Sequence, residues 1–224
     1  MPDADGVYQQ ADIRKIFPEG VTWRDWLWVR ELLATCIRKA EPGQILDVGC
    51  GLGFFVELCR LWNIPCEGIE GSEYAVSSAK ERGVHIHQHN LANERPFPFA
   101  DSSFTVAMMS EVIEHLPHSA AQSTLRECWR CLMPGGTLII LTPSRFNTQE
   151  AREPAHINLY VPTEMKTEIE RAGFIFREYL DSNWPRPVFS NWRIERRLWQ
   201  QICKLYRPDW LSMGASVIAQ KPQQ

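Results

Sequence analysis

Residues 45–54 read ILDVGCGLGF and place three glycines within five positions, directly after a short apolar run. A short apolar run that a glycine closes is typical of a buried strand. Glycines at alternate positions then indicate a sharp turn, because glycine adopts backbone conformations that other residues avoid and lets a ligand approach the main chain. This stretch therefore predicts a strand, then a ligand-binding turn, and then a helix.

Strand-like and helix-like segments alternate on both sides of this turn. The predicted strands cover residues 44–49, 66–70, 84–90, 104–110, 137–143, 174–180 and 214–220, and the predicted helices cover residues 22–40, 54–63, 72–83, 119–133 and 163–173. Ser72 and Thr163 are predicted N-caps, and Pro134–Gly136 is predicted to stop the helix before it. The alternation favours an α/β fold with a parallel sheet.

The spacing of the glycines restricts the ligand. Gly49, Gly51 and Gly53 form a G-x-G-x-G pattern, and residue 54 is phenylalanine. Dinucleotide-binding proteins instead use G-x-G-x-x-G, and triphosphate-binding loops need Gly-Lys-Ser/Thr. The turn therefore disfavours pyrophosphate and triphosphate ligands, and with them a dinucleotide-dependent oxidoreductase.

At these residues the chain resembles the class I S-adenosylmethionine-dependent methyltransferases. ILDVGCGLGFF is similar to the first motif of that family, and four more stretches agree in order and spacing. They are CEGIEGSEYAV, HNLANERPFPFADSSFTVAMMSEVIEHL, LRECWRCLMPGGTLIILTPSR and HINLYVPTEMKTEIERAGF, and together the five cover about residues 40–180. The resemblance implies a seven-stranded, mostly parallel, doubly wound Rossmann-like sheet with an antiparallel last strand. It also implies S-adenosylmethionine as the cofactor and S-adenosylhomocysteine as the product.

The resemblance also implies which residues hold the cofactor. Glu70 would hold both ribose hydroxyls, and its distance of ~20 residues from the glycines is usual for such a carboxylate. Asn90, where the family usually has aspartate, would contact the adenine amino group, and Leu91 would lie against the ring. Backbone groups of the turn after Asp47 would receive the methionine end. The complete implied set is Asp47, Gly49, Gly51, Gly53, Glu70, Gly71, Asn90, Leu91 and Ser110.

Three titratable residues are catalytic candidates, because they follow strands whose carboxyl ends meet at one edge of the sheet. His115 follows the fourth predicted strand and His156 follows the fifth. Either is a candidate general base, since histidine exchanges protons near neutral pH, and a structural role is the alternative for each. Glu111 is expected to face the methyl-transfer cavity, or else to act as a helix-start carboxylate.

No metal site is predicted. His85, His87 and His89 share one face of a predicted strand. That strand is expected near the edge of the sheet, so these histidines are interpreted as solvated residues or as a lid on the adenine. Cys128 and Cys131 have CxxC spacing, but their helical periodicity indicates small apolar residues on a buried helix face.

Residues 181–213 form an insert between the last two predicted strands. The insert carries four tryptophans and, between residues 186 and 207, six basic residues against one acid. We expect it to act as a lid on the acceptor, with Trp192 and Arg193 among the substrate-binding residues. Aromatic walls suit a flat or apolar acceptor, and arginine suits an anionic group. A basic face of this kind could also touch an anionic membrane surface.

Residues 1–40 are interpreted as a helical cap on a single methyltransferase domain that spans residues 1–224. Trp23 and Trp26 of this cap are expected to close the acceptor pocket from the other side. The net charge of −3 gives no sign of a nucleic-acid-binding surface. The polar N-terminus does not resemble a signal peptide, and no apolar run approaches the ~20 residues that a membrane span needs. A cytoplasmic location is therefore expected.

The leading interpretation is a methyltransferase that acts on an oxygen or nitrogen of a small molecule, such as an aromatic or partly apolar metabolite in a biosynthetic pathway, as a monomer or a homodimer. One alternative is a protein or RNA methyltransferase. Residues 110–113 read SEVI, where enzymes that methylate amide or adenine nitrogen usually carry Asp/Asn-Pro-Pro-Tyr/Phe. Another alternative is a non-catalytic subunit that binds S-adenosylmethionine.

Overall fold

The computed structural model describes residues 23–39, 43–180 and 209–223. Its seven strands are β1 (Ile45–Val48), β2 (Cys66–Glu70), β3 (His87–Gln88), β4 (Phe104–Ser110), β5 (Leu132–Leu141), β6 (Ile175–Tyr179) and β7 (Val217–Gln220). They form one sheet in the order β3-β2-β1-β4-β5-β7-β6. The first five strands are parallel, and β7 is antiparallel to both of its neighbours. The predicted fold is confirmed.

Helices cover both faces of the sheet. They are α1 (Trp23–Lys39), α2 (Phe54–Leu61), α3 (Glu73–Glu81), α4 (His118–Cys131) and α5 (Pro162–Arg171). Successive residues of a strand face opposite sides, so Met108 of β4 packs in the core beneath α1 and α2, while Met109 packs in the core beneath α4 and α5. Burial on both faces explains why the central strands read as continuous apolar runs.

The end of α4 lies earlier than predicted. The sequence pattern placed the stop at Pro134–Gly136, but the helix ends at Cys131 and β5 begins at Leu132. Leu132 is extended, with φ −72° and ψ 141°, and it pairs with Phe104 of β4. The residue before a proline also disfavours helical backbone, which moves the helix end upstream. Cys128 and Cys131 are fully buried, so their prediction as core residues is confirmed.

One of the two predicted N-caps is wrong. The Oγ of Ser72 accepts a hydrogen bond from the Ala75 amide at 3.2 Å, as predicted. Helix α5, however, begins at Pro162 with Val161 as its N-cap, because proline suits the first helical position. Thr163 lies inside the helix, and its hydroxyl instead donates a hydrogen bond to the carboxylate of Asp209.

The predicted strand over residues 84–90 is reduced to His87 and Gln88. These two residues pair only with Ile69 and Glu70, at the end of β2. A strand at the edge of a sheet has a neighbour on one side only. β3 therefore extends only over the two residues that pair with β2. The amide of His89 continues the contact with a 2.7 Å hydrogen bond to the Glu70 carbonyl.

The topology brings the ends of the parallel strands and the start of β7 to one edge of the sheet, which we call the carboxyl edge. The last residues of the predicted insert lie over this edge, where the Oγ atoms of Ser144 and Ser212 are 2.6 Å apart. Trp192 and Arg193 lie outside the described residues, as do residues 1–22 of the predicted cap and the side chains of Trp23 and Trp26. None of the helices in the described ranges combines the length and apolarity that crossing a bilayer requires.

Candidate active site

The glycine turn after β1 has the left-handed backbone that its sequence predicts. Gly49, Gly51 and Gly53 have φ values of 72°, 53° and 76°. Residues with a side chain pay a steric cost at such angles. The amides of Gly49 and Cys50 donate hydrogen bonds to the Ile69 carbonyl at 2.9 and 3.0 Å. The turn is therefore fixed to the neighbouring strand β2.

The two sides of this turn differ in the space around them. A Cβ atom at Gly49 would lie 2.6 Å from Cγ2 of Val112, so the segment after β4 packs directly against the turn. A Cβ atom at Gly51 would meet no atom within 4 Å. The main chain at Gly51 can therefore be reached by a ligand.

Glu70, at the end of β2, lies directly beside the turn. Its side chain is 4% exposed, and its Oε2 and Oε1 atoms accept hydrogen bonds from the amides of Gly51 at 2.9 Å and Ser72 at 2.8 Å. Burial raises the pKa of Glu70, and hydrogen bonds from the backbone of Ser72, Gly51 and Gly71 oppose that rise. Each carboxylate oxygen has a second lone pair, which suits the two hydroxyls of a ribose.

A second acid lies beneath the turn. Asp47 is 4% exposed, and burial, followed by the negative charge of Glu70, raises its pKa from 3.8 to about 8. Burial of two carboxyl groups that repel each other lowers the stability of the folded chain. Such perturbed acids are concentrated at functional sites.

The predicted adenine loop adjoins Glu70. A Cβ atom at Gly71 would lie 3.4 Å from the Cα of Asn90, so the two segments are in close contact. Oδ1 of Asn90 accepts a hydrogen bond from the Ala92 amide at 2.9 Å and caps a short 3-10 helix over Leu91–Asn93. The predicted oxygen acceptor for the adenine amino group thus also holds its own loop in shape. Leu91 is 9% exposed.

The end of β4, which lies beside the end of β1, carries two polar residues. The buried Oγ of Ser110 has no hydrogen-bond partner among the described residues, which suits a polar ligand atom. Glu111 has a left-handed φ of 55°, which a side chain tolerates only when the surroundings enforce it. Glu111 is exposed as a whole residue, yet burial of its carboxyl group, and then the charge of Glu114, raise the pKa of that group to about 8.

The two candidate base histidines lie together. Their ring centroids are 4.8 Å apart. Nδ1 of His115 is 3.0 Å from the Ala155 carbonyl, and Nδ1 of His156 is 2.9 Å from the Glu150 carbonyl. Because a carbonyl only accepts, Nδ1 carries the proton in the neutral form of each ring, which leaves a lone pair on Nε2. We refer to these two side chains as the histidine pair.

The sequence interpretation missed two residues of this region. Glu114 is fully buried, and its Oε2 accepts a 2.9 Å hydrogen bond from Oγ1 of Thr142. Its position three residues after Glu111 and directly before His115 was the available signal. Arg82, which follows the last residue of α3, donates a hydrogen bond to the Leu52 carbonyl and so supports the glycine turn, a contact with no local signal.

The three histidines at positions 85, 87 and 89 do not share a binding partner. Nε2 of His87 is 3.0 Å from a carboxylate oxygen of Glu67, and the ring of His89 packs edge-on against Phe97 at 5.3 Å. His85 is exposed. The three histidines, which were predicted to share one face of a strand, therefore have different surroundings.

Comparisons with known proteins identify the family of the chain. A family model described as a methyltransferase domain matches residues 22–178. A probable S-adenosylmethionine-dependent methyltransferase of Mycolicibacterium smegmatis is 33% identical over 137 residues, which are 58% of this chain and 51% of that protein. A ubiquinone biosynthesis O-methyltransferase of Pseudomonas putida is 29% identical over 122 residues, 53% of this chain and 50% of that protein. The chain thus spans about half the length of these curated relatives.

Solved structures share the fold. A methyltransferase from Archaeoglobus fulgidus superimposes with a TM-score of 0.65 at 20% identity, over 96% of this chain and all of that one. The geranyl diphosphate C-methyltransferase of Streptomyces coelicolor, solved with S-adenosylhomocysteine, gives a TM-score of 0.62 at 16% identity, over 88% of this chain and 77% of that one.

The carboxyl edge fits S-adenosylmethionine on its own geometry. Open space lies beside the main chain of Gly51. The carboxylate of Glu70 stands at the end of β2, on one side of β1. On the other side, at the end of β4, lies the hydroxyl of Ser110, which has no partner among the described residues. The ligand's ribose and its polar methionine end need groups of these kinds.

The open space at Gly51 generates a prediction. Gly51→Ala should weaken S-adenosylhomocysteine binding at least about tenfold, because the new methyl group projects into the ligand's volume and strains a left-handed residue by ~1–2 kcal/mol. Gly83→Ala is the matched control, since Gly83 has a φ of 74° and equally open surroundings away from the site. Calorimetric titration and urea unfolding of both variants separate affinity from stability. Equal affinities in the two variants would contradict the placement of the ligand.

The buried carboxyl group of Asp47 predicts a pH dependence of stability. Its raised pKa means that the folded chain keeps a proton that the unfolded chain releases above pH ~4. This contribution therefore destabilises the folded chain progressively as the pH rises from about 4 towards about 8. Asp47→Asn should gain stability over wild type at pH 8 and little at pH 5 in urea unfolding. A difference between the two proteins that does not change with pH would refute this prediction.

Proposed function

Because the chain belongs to the class I S-adenosylmethionine-dependent methyltransferases, we propose that it transfers the cofactor's methyl group to an oxygen or nitrogen of a small molecule. The observation that carries this proposal is the histidine pair, whose Nε2 lone pairs lie at the carboxyl edge. Val112, between Glu111 and the histidine pair, packs against Gly49 of the cofactor turn. The proton acceptor and the methyl donor would therefore be neighbours.

Separate residues of the chain would bind the cofactor and carry out the proton transfer. Bound S-adenosylmethionine supplies an electrophilic methyl group on a positively charged sulfur. Glu70 would bind the ribose hydroxyls, and the backbone of the glycine turn would bind the methionine end. Asn90 and Leu91 would position the adenine, with Asp47, Gly71 and Ser110 lining the same site. Rigid placement accounts for most of the rate, because the acceptor must lie in line with the bond that breaks.

Removal of a proton from the acceptor completes the reaction. A phenol, carboxylic acid or protonated amine is a poor nucleophile until its proton leaves. The Nε2 atom of His115 or His156 would take that proton, since the backbone carbonyls at Nδ1 fix both rings in the tautomer with a basic Nε2. Glu111 is the third candidate for this role. It directly follows β4, in a left-handed backbone conformation.

The acceptor is proposed to be small and partly apolar. The name of the ubiquinone biosynthesis O-methyltransferase indicates transfer to oxygen in that relative, and an oxygen acceptor would suit an imidazole base here. Residues 181–213, with Trp192 and Arg193, would cover the acceptor from one side, and Trp23 and Trp26 from the other. In the described end of this insert, Trp210 is 63% exposed, which leaves an aromatic surface near the carboxyl edge.

A labelled-methyl assay tests this function. The protein is incubated with methyl-labelled S-adenosylmethionine and a panel of phenols, carboxylic acids and amines, and the label in the acceptor fraction is counted. For an accepted substrate, His156→Ala should lower kcat by ~10²–10⁴-fold if His156 is the base. His118→Ala is the matched control, because His118 is 60% exposed on the adjoining helix. Tight binding of S-adenosylhomocysteine with no transfer to any small acceptor would favour a non-catalytic subunit or a macromolecular acceptor instead.

A further inference from the structure

We propose that Glu114, His115 and His156 bind one divalent transition-metal ion at the carboxyl edge. One potential ligand atom from each of these residues lies within 4.8 Å of the others. Residues from two separate segments, the loops after β4 and after β5, converge to make this cluster. The sequence interpretation predicted no metal site, because it considered the histidines at 85, 87 and 89 and the cysteines at 128 and 131 but not this cluster.

Both imidazoles are oriented as metal ligands are. A histidine that binds a metal usually donates its other ring N–H to a carbonyl or carboxylate, which fixes the tautomer and the ring plane. Here Nδ1 of His115 donates to the Ala155 carbonyl and Nδ1 of His156 donates to the Glu150 carbonyl. Both Nε2 atoms are left with a lone pair for an ion. The side chain of His156 is only 7% exposed, so its ring is held within the protein.

Glu114 supplies an independent indication. Its side chain is fully buried, and Thr142 occupies only Oε2. The buried Oε1 has no hydrogen-bond partner by distance and angle among the described residues, and the carboxyl group of Glu111 lies close enough to interact with Glu114. Burying a carboxylate oxygen without a partner is costly, and a coordinated cation removes that cost. The Glu114 carbonyl also accepts a 3.0 Å hydrogen bond from the Asn158 amide, which ties this segment to the loop that carries His156.

The ligand types select the class of ion. Two imidazoles and one carboxylate suit zinc, manganese, iron or cobalt, whereas magnesium and calcium prefer oxygen ligands alone. Neighbouring ligand atoms around such an ion lie ~3.3 Å apart, given metal–ligand bonds of ~2.1 Å. The ligand atoms of the cluster, which lie within 4.8 Å of one another, would therefore move closer together on binding. Three protein ligands leave positions open for an acceptor or water.

The proposed ion would change the role of the histidine pair. An Nε2 atom that coordinates a metal cannot also accept a proton, so His115 and His156 would act as ligands rather than as bases. The ion would instead lower the pKa of a hydroxyl group bound to it, so that the hydroxyl would release its proton to solvent near neutral pH and its oxygen would become nucleophilic. Ion binding by the cluster does not depend on which molecule accepts the methyl group.

The test is ion binding by the whole chain, without cofactor or acceptor. Protein treated with a chelator and dialysed is titrated calorimetrically with Zn²⁺, Mn²⁺ and Mg²⁺, and the visible absorption of added Co²⁺ reports the ligand set. Wild type should bind one equivalent of Zn²⁺ or Co²⁺ and bind Mg²⁺ far more weakly. Glu114→Gln and His156→Ala should each lower the affinity at least tenfold, and His118→Ala should leave it unchanged.

The controls separate this inference from the proposed function. Glu114→Gln keeps an oxygen for Thr142, and S-adenosylhomocysteine titration of every variant checks that the fold and the cofactor site are intact. Absence of stoichiometric binding in wild type, or equal binding by Glu114→Gln and His156→Ala, would overturn the metal site. Cofactor binding would survive that result, whereas its loss in wild type would count against the proposed function alone.

Discussion

The hydrogen bond between the Gly51 amide and the Glu70 carboxylate, 2.9 Å long, joins the two parts on which the rest of the site depends. It links the turn after β1 to the end of β2, and the second carboxylate oxygen links the same strand end to the start of α3 through Ser72. The glycine turn can take this path only because its residues adopt left-handed backbone angles. One buried carboxylate thus fixes the shape of the turn and presents acceptor sites to a ligand.

The topology of the sheet explains why further functional groups gather nearby. In an open parallel sheet, ligands bind beyond the carboxyl ends of the strands. Ser110 ends β4 at that edge, and the loops beyond β4 and β5 bring the histidine pair together. Asp47, Glu70 and Glu114 are all buried acids of this region. Their burial weakens the fold, and a ligand or ion that compensates their charge would recover part of that stability.

The sequence predicted those features that local patterns determine. The observed bounds of β2 and β4 are the predicted ones, and Ser72 caps α3 as its position indicated. The end of α4 and the cap of α5 were wrong, because strand pairing at Leu132 and the proline at 162 outweighed the local stop and cap signals. These errors lie at element boundaries, where tertiary contacts compete with local preference.

The candidate site could be predicted only in part, for the same reason. Its cofactor residues follow one another along adjacent strands, so the family resemblance was enough to suggest them. The partner of Glu114 is Thr142, 28 residues along the chain, and the ring contact of His115 and His156 joins two loops. No local pattern encodes such distances. Arg82 reaches the glycine turn across a separation of 30 residues, for which the sequence offers no signal.

The most direct test of this account is a calorimetric titration of wild type, Glu70→Ala and Glu67→Ala with S-adenosylmethionine, S-adenosylhomocysteine and NAD. Glu67 lies on the same strand but pairs with His87 at the protein surface, so it serves as the matched control. Wild type and Glu67→Ala should bind both adenosyl ligands with micromolar affinity, Glu70→Ala should lose that binding, and none of the three should bind NAD. Binding of NAD alone, or equal binding of the adenosyl ligands by Glu70→Ala, would contradict the account.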